Sequence, residues 1–139
     1  MASLIYNRAI ELWARGSIDF DTDTFRRMLT TSAYTENKDT HDFRDDVTNE
    51  VTGTGYTAGG AVTTVTVTLD TANDRVDIVF GTTTWPTSTI TARKAVAYKD
   101  RGGASSADEL VYVNDFGSDV ISSGGTFTAN ADTVRITNT

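Results

Sequence analysis

The sequence predicts a mainly β protein: an antiparallel β-sandwich or jelly roll with one or two short helices in its N-terminal third. Threonine is abundant, and its β-branched side chain suits the half-wet surface of a pleated sheet. From Val62 onward, apolar and polar residues alternate with a period of two, and Gly, Asp and Asn turns separate the runs. A chain of 139 residues is long enough for one domain with a core and too short for two. We therefore predict a single domain over residues 1–139.

The N-terminal part of this domain, residues 1–61, is predicted to supply a helix and loops. Residues 4–15 have the apolar spacing of a short amphipathic helix that ends at Gly16. Three further elements are predicted: a strand at 17–20, a strand within 25–34 and a helical turn at 40–47. The second of these is favoured as a strand because Thr30 and Thr31 are poor helix formers.

The main sandwich is predicted to come from residues 62–139, together with the strands from 17–34. Its clearest hairpin joins two alternating runs through the turn at 70–74, and the first run places Val65, Val67 and Leu69 on one buried face. Further strands are predicted at 88–99, 109–115, 126–129 and 134–137, with Gly124 and Gly125 between two of them. The proline of Trp85-Pro86 is predicted to interrupt the sheet, and Arg93-Lys94 to mark a β-bulge.

The charge of the chain argues against nucleic acid as a partner. The net charge is −7, from 12 Lys and Arg against 19 Asp and Glu. The densest basic group, Arg93, Lys94, Lys99 and Arg101, has Asp100 within it and no accompanying series of aromatic residues for base stacking. We therefore expect no nucleic-acid partner.

The composition of the chain also indicates the cellular compartment in which it is made. The chain has no cysteine, which excludes disulfides and thiolate metal sites. No apolar run is long enough to span a bilayer, and the first residues lack the continuous apolar region of a signal peptide. We expect synthesis in a cytoplasm and no membrane partner.

The glycine-rich segment GTGYTAGG, residues 53–60, resembles a phosphate-binding loop only superficially. Ala61 and Val62 stand where a P-loop needs Lys and Ser or Thr, and Ala58 occupies the third glycine position of the dinucleotide pattern. The segment is better interpreted as an element that shapes the backbone of a structural protein, so no cofactor is predicted.

No constellation of residues predicts catalysis or a firm metal site. His41 is the single histidine, so a Ser-His-Asp system could be built only around it. Asp19, Asp21 and Asp23 have the spacing of the first ligands of an EF-hand calcium loop. The positions that need Gly and Glu later in such a loop hold Thr24 and Thr30. A differently built, weak calcium site stays open. We predict no catalytic residue, no metal ligand and no enzyme activity.

Five motifs occur in a fixed order over nearly the whole chain: IDFDTDT (18–24), YTENKDTH (34–41), DVTNEV (46–51), GTGYTAGG (53–60) and TITAR (89–93) leading to AVAYKD (95–100). This series resembles a family of small virion structural proteins of tailed bacteriophages, and within it a capsid cement or decoration protein. The resemblance implies a jelly-roll subunit on the capsid exterior, made in the bacterial host cytoplasm. It implies two partners, the major capsid protein and other copies of the same chain.

A partner interface is predicted at the N-terminal helix, the glycine-rich loop and a second tryptophan: Trp13, Gly55, Tyr56, Gly59, Gly60 and Trp85. One alternative stays within the virion, namely a neck, tail or fibre-associated protein. Another is a carbohydrate-binding module that uses Trp85 and nearby tyrosines. A hydrolase acting through the Asp and Glu clusters is the least favoured, because no pair of carboxylates is singled out.

Overall fold

The protein is built from two antiparallel sheets and one α-helix, in agreement with the predicted mainly β class. This computed structural model describes residues 3–138. The elements are β1 (Leu4–Ile5), α1 (Asn7–Ala14), β2 (Phe25–Thr30), β3 (Ala61–Thr63), β4 (Val65–Asp70), β5 (Arg75–Phe80), β6 (Thr83–Lys99), β7 (Leu110–Ala129) and β8 (Asp132–Thr137). Two short 3-10 turns lie at Arg44–Asp46 and Ser105–Ala107.

The strands divide into a five-stranded sheet and a three-stranded sheet. The order in the larger sheet is β1-β7-β6-β2-β3, and in the smaller one β4-β5-β8. All pairs are antiparallel, as a sandwich of meanders and hairpins requires. The predicted sandwich is thus supported, whereas jelly-roll connectivity stays a prediction.

A buried arginine binds at two of the three places where the chain crosses from one sheet to the other. The guanidinium of Arg27 on β2 donates hydrogen bonds to the carbonyl oxygens of Gly81, Ala129 and Asn130 at 3.2, 3.2 and 3.0 Å. Gly81 lies between β5 and β6, and Asn130 lies between β7 and β8. This single cationic side chain, which we call the Arg27 clamp, therefore ties two of the three crossovers to the larger sheet; the third lies at Thr64, between β3 and β4.

The core has two apolar clusters. The larger one holds a group of aromatic rings in which Phe80 lies edge-on to Phe20 and Phe25 and stacks on Tyr112 at 5.8 Å. The smaller one is centred on Trp85, Phe127, Leu29 and Ile90. Both clusters are buried, and each contains residues from β6 and β7, so these two long paired strands contribute to the interior along their length.

The N-terminal third differs from the prediction in three details. The helix begins at Asn7 and not at residue 4, because Leu4–Ile5 pair with β7 as a short edge strand. Residues 17–20 form turns and no strand, because the Asp19 carboxylate accepts backbone N–H groups of Asp21 and Thr22. The helical turn predicted at 40–47 shortens to Arg44–Asp46, while the strand predicted within 25–34 is confirmed as β2.

The predicted break at Trp85-Pro86 is wrong, because β6 continues through it. Trp85 pairs with Phe127 and Ser88 with Gly125, so the residues between them form a bulge. A bulge leaves residues without ladder partners, and that is where a proline fits. The bulge predicted at Arg93-Lys94 is confirmed by the register shift between Ala92 and Lys94. The separate strands predicted at 109–115 and 126–129 are parts of one strand, β7, which includes Gly124 and Gly125.

The predicted hairpin is confirmed, but the burial of its first strand is not. β4 pairs with β5 in the register Val65 to Phe80 through Asp70 to Arg75. Val67 is nevertheless 43% exposed and Leu69 70% exposed. Both side chains lie on the inward face of the sheet, and the layer beneath that face ends before it reaches them.

Candidate interaction surface

An open apolar cleft lies between α1 and the far half of the three-stranded sheet. Its walls come from the helix, the turn that follows the helix and the inward face of the sheet. The lining apolar residues are Ile5, Ile10, Trp13, Ile18, Phe20, Val67, Val76, Ile78, Val134 and Ile136. Two adjoining hollows of about 490 and 280 Å³ share Trp13, Phe20 and Ile78. A third hollow of about 240 Å³, lined by Leu69 at the tip of the sheet, continues the cleft through Val76 and Ile136. The cleft is thus one continuous apolar surface.

Strand register explains why so many apolar side chains face the cleft. Directly opposed residues of an antiparallel pair point to the same face. Val67 opposes Ile78, and Ile78 opposes Val134. Leu69 opposes Val76, which opposes Ile136. The near end of this face is buried at Ile78 and Phe80, and the far end is open.

Trp13 stands at the mouth of the cleft. The side chain is 42% exposed, and its ring lies 6.3 Å from that of Phe20. Ala9 of the same helix is buried, whereas Ile10 is as exposed as Trp13. The apolar stripe of α1 is therefore wider than the surface that the rest of the chain covers. A half-exposed indole beside an apolar hollow is a common anchor of protein interfaces.

The rim of the cleft is acidic. Asp19 and Asp21 lie on the helix side, and Asp70 and Asp74 lie at the tip of the sheet. The backbone N–H of Asp21, with the side chain of Thr22, lowers the pKa of Asp19, and the side chain of Asn73 lowers the pKa of Asp70. Arg75 partly offsets the charge through its ion pair with Asp70 at 3.1 Å. With Asp19, Asp21, Asp70 and Asp74 against Arg75, the rim carries a net negative charge at neutral pH.

The glycine-rich loop is an internal packing element. A Cβ atom on Gly60 would lie 1.9 Å from the Arg27 carbonyl oxygen, and one on Gly55 would lie 2.7 Å from the Thr87 carbonyl oxygen. The Tyr56 hydroxyl donates to Glu50 Oε1 at 2.6 Å and accepts the Leu29 N–H at 3.0 Å. The loop thus lies flat against β2 and β6, as expected of a segment that shapes the backbone.

This packing decides which of the predicted interface residues reach the surface. Gly55 is exposed, Tyr56 and Gly60 are half-buried, and Gly59 is buried. None of the four lines the cleft.

Trp85 lies in the core and not on a surface. It is 4% exposed and packs against Tyr56 and, edge-on, against Phe127, both at 5.9 Å. Trp85 is paired with Phe127 on the inward face of the sheet, so strand alternation points its indole into the core. Of the six predicted interface residues, the cleft contains Trp13 alone. Sequence alternation identified the inward face of β4, but it carries no information about how far the opposite layer extends.

The candidate catalytic and metal residues have structural roles. His41 Nδ1 lies 3.0 Å from the Tyr34 hydroxyl, which in turn lies 2.8 Å from the Tyr6 hydroxyl. Asp19 and Asp23 bond to backbone within their own turn. Within residues 3–138, no group of three or more His, Asp or Glu side chains is arranged to hold a metal ion. The surface is suited to recognition by apolar contact and charge.

Over the described part of the chain, no helix has both the length and the apolar character needed to cross a bilayer. No family model, no curated protein and no solved structure matches the sequence or the fold of this chain.

Proposed function

We propose that this chain is a non-enzymatic cement protein of a tailed-bacteriophage capsid, and that the apolar cleft docks it on the outer surface of the major capsid protein. The ordered motifs of the sequence support the phage family. The observation that carries the docking role is the open cleft, with Trp13, Val67 and Leu69 left exposed on faces that are otherwise core.

The contact at one cleft is expected to be weak. Burying the exposed part of Trp13, Val67 or Leu69 contributes about 1 kcal/mol of binding free energy each, or about 3 kcal/mol for the three together. Association costs several kcal/mol of rigid-body freedom, so other contacts must add to this. Many identical sites on a shell compensate, because a subunit that touches two capsid proteins gains avidity. Binding restricted to the assembled shell then stabilises that shell by mass action.

The acidic rim indicates the chemistry of the docking segment. An apolar segment flanked by Lys or Arg would place its side chains in the cleft and its charges beside Asp19, Asp21, Asp70 and Asp74. Complementary charge of this kind speeds encounter and fixes orientation. Such binding is expected to weaken as salt concentration rises.

The test is a titration of shells that lack the protein. Purified chain is mixed with empty shells, and the bound copies per shell are measured by co-sedimentation. Leu69→Ser is expected to weaken binding at least fivefold while leaving the melting temperature nearly unchanged, because Leu69 is already exposed. Val62→Ser removes another exposed aliphatic side chain away from the cleft, and it is expected to bind like the wild type.

Two outcomes would contradict the proposal. Absence of wild-type binding to shells, or binding at the tail vertex alone, would remove the cement function. Wild-type affinity of Leu69→Ser would remove the cleft as the docking site. Copy number separates a shell protein from a neck, tail or fibre protein, since hundreds of copies per particle suit a shell and a dozen or fewer suit a tail.

A further inference from the structure

β4 forms an open edge beside the cleft. It is the first strand in the order β4-β5-β8, and within residues 3–138 only β5 pairs with its backbone. One hydrogen bond just outside the strand shows which of its groups β5 uses: the Gly81 N–H donates to the Thr64 carbonyl oxygen at 2.7 Å. Thr64 and Gly81 extend the register of Val65 with Phe80 by one residue. They are therefore a hydrogen-bonded pair of the β4–β5 ladder.

The free backbone groups of β4 belong to the residues that face the cleft. Hydrogen-bonded and non-hydrogen-bonded pairs alternate along an antiparallel ladder. Counting from Thr64, the residues that bond to β5 are Thr66, Thr68 and Asp70. The N–H and C=O groups that point to the open edge are those of Val65, Val67 and Leu69. The side chains of the same three residues lie on the inward face of the sheet, so free backbone groups run along the border of the cleft.

The opposite edge of the small sheet, β8, has the reverse arrangement. The Asn138 N–H donates to the Asp74 carbonyl oxygen at 2.8 Å. By the same alternation, the inward-facing residues of β8 bond to β5, and the free groups belong to Thr133, Arg135 and Thr137. These side chains point away from the cleft, and that of Arg135 carries a charge. A charged side chain on an edge strand is a common protection against the addition of another strand.

β4 lacks such protection. Its sequence, VTVTLD, contains no Lys, Arg or Pro, and its pairing with β5 has no register shift. Val67 and Leu69 are exposed. The edges of the larger sheet, β1 and β3, are two and three residues long, against six in β4. A long, regular and apolar edge recruits other strands unless something occupies it.

We infer that β4 accepts an extended segment of the docking partner as a fourth strand of the small sheet. The three N–H and three C=O groups at the open edge bond to the backbone of that segment, as in other cases of strand addition. Every second side chain of the segment points into the cleft beside Val67 and Leu69. This added strand deepens the proposed docking at the cleft, and it rests on that proposal for the identity of the partner.

The charges near the open edge indicate the composition of the segment. Asp70 ends β4 and Asp74 lies in the turn beyond it, while Asp19 and Asp21 line the hollow next to Val67. A segment that alternates aliphatic with small polar residues, and that has Lys or Arg at its ends, complements this border. A second copy of the chain does not, because two β4 edges side by side would bring both acidic borders together.

The test is amide hydrogen exchange of the full chain, labelled with nitrogen-15 and measured residue by residue by NMR. In the free chain, the Thr66 and Thr68 amides are expected to exchange at least about tenfold more slowly than those of the open edge, because they donate to β5. The probe is the synthetic peptide KVTVTVK, used at up to about 5 mM because a lone strand of this length binds weakly. Bound peptide is expected to slow exchange at Val65, Val67 and Leu69 by about threefold or more and to leave Thr66 and Thr68 unchanged.

Two peptides of the same length serve as controls. KVVVTTK has the same composition without the alternation, and EVTVTVE reverses the charge at both ends. At equal concentration, both are expected to slow exchange at the open edge much less than KVTVTVK does.

A pair of substitutions at Val67 separates backbone pairing from side-chain contact. Val67→Pro removes an N–H that points away from β5, whereas Val67→Thr keeps that N–H and the shape of the side chain. Because proline is the more apolar of the two, side-chain contact alone predicts equal or tighter binding by Val67→Pro. An added strand predicts the reverse: Val67→Pro should bind the peptide and empty shells at least fivefold more weakly than Val67→Thr. If Val67→Pro fails to fold, the exchange measurement on the wild type decides.

Unchanged exchange at the open edge at the highest peptide concentration, or equal slowing by KVVVTTK, overturns the added strand. Slowed exchange at the same amides in the concentrated chain alone assigns the edge to a second copy and overturns it as well. Failure of the cement function gives a different result: a wild type that responds to the peptide but does not bind shells keeps the edge site and loses the cement function. Equal shell binding by Val67→Pro and Val67→Thr keeps docking at the cleft and removes the added strand.

Discussion

Substitution of Gly60 by alanine tests whether the glycine-rich loop is a packing element. Gly60 has φ +74°, and its added Cβ would lie 1.9 Å from the Arg27 carbonyl oxygen and 2.7 Å from Met28 Cα. Both of these atoms are backbone of β2 and cannot rotate away. The variant must therefore bear left-handed strain and displace either the loop or the strand.

The expected cost can be built from two terms. A non-glycine residue in the left-handed region costs about 1–2 kcal/mol. Overpacking against fixed atoms costs about 1–3 kcal/mol more. Gly60→Ala is thus expected to lower the free energy of unfolding by about 2–5 kcal/mol. Gly16 has φ +78°, and a Cβ added there would have no atom within 4 Å. Gly16→Ala should therefore bear the cost of backbone strain alone.

Gly125→Ala completes the series, because it has neither strain nor a clash. Reduced freedom of the unfolded chain should stabilise it by about 0.4–1 kcal/mol. Urea unfolding of the three variants, followed by circular dichroism, gives the three values directly. A Gly60→Ala variant no less stable than Gly16→Ala would refute the packing account of the loop.

Three further predictions follow from buried polar groups. Burial raises the pKa of Tyr34, Tyr98 and Tyr112 to about 12 and that of Tyr6 and Tyr56 further. The stabilisation that comes from burying neutral tyrosines is therefore present below about pH 10 and is lost as the pH rises towards 12. Tyrosinate absorbance should appear only as the protein unfolds, and its appearance in the native state would contradict this. Arg27→Met should destabilise the protein by about 2–5 kcal/mol in urea unfolding, because the carbonyl oxygens of Gly81, Ala129 and Asn130 lose their buried donor. A cost below about 1 kcal/mol would show that the Arg27 clamp is dispensable. Glu36→Gln should lower the free energy of unfolding by about 2–4 kcal/mol, because it leaves buried Lys94 without its carboxylate partner. In a double-mutant cycle, adding Lys94→Met should restore part of that stability. Losses that simply add would argue against an interaction between the two residues.

The sequence was most informative where local chemistry decides the structure. The alternation of apolar and polar residues in β4 and β5, with the polar turn between them, predicted the hairpin and the side chains that share each face. The failed phosphate-loop rules of the glycine-rich segment correctly suggested a backbone role, which the close approach of Gly60 to Arg27 explains. These features depend on residues near one another in the chain.

The sequence was least informative where distant segments decide the structure. Proline at residue 86 predicts a break, yet the bulge opposite Thr126 accommodates it without ending β6. The exposure of Leu69 depends on where α1 and its turn stop beneath the sheet, which no local pattern records. The sequence offers both Trp85 and Trp13 as interface residues, and the long-range packing of Phe127 against Trp85 separates them.

The Arg27 clamp has a consequence for how the molecule avoids polymerising. β4 and β8 are the two edges of the small sheet, and their unpaired backbone groups could recruit strands from other chains. Release of that sheet from the rest of the fold would require one guanidinium to give up its bonds at two of the three crossovers at once. The clamp therefore opposes detachment of the small sheet, which would expose its apolar inward face, including Ile78 and Phe80, beside those edges.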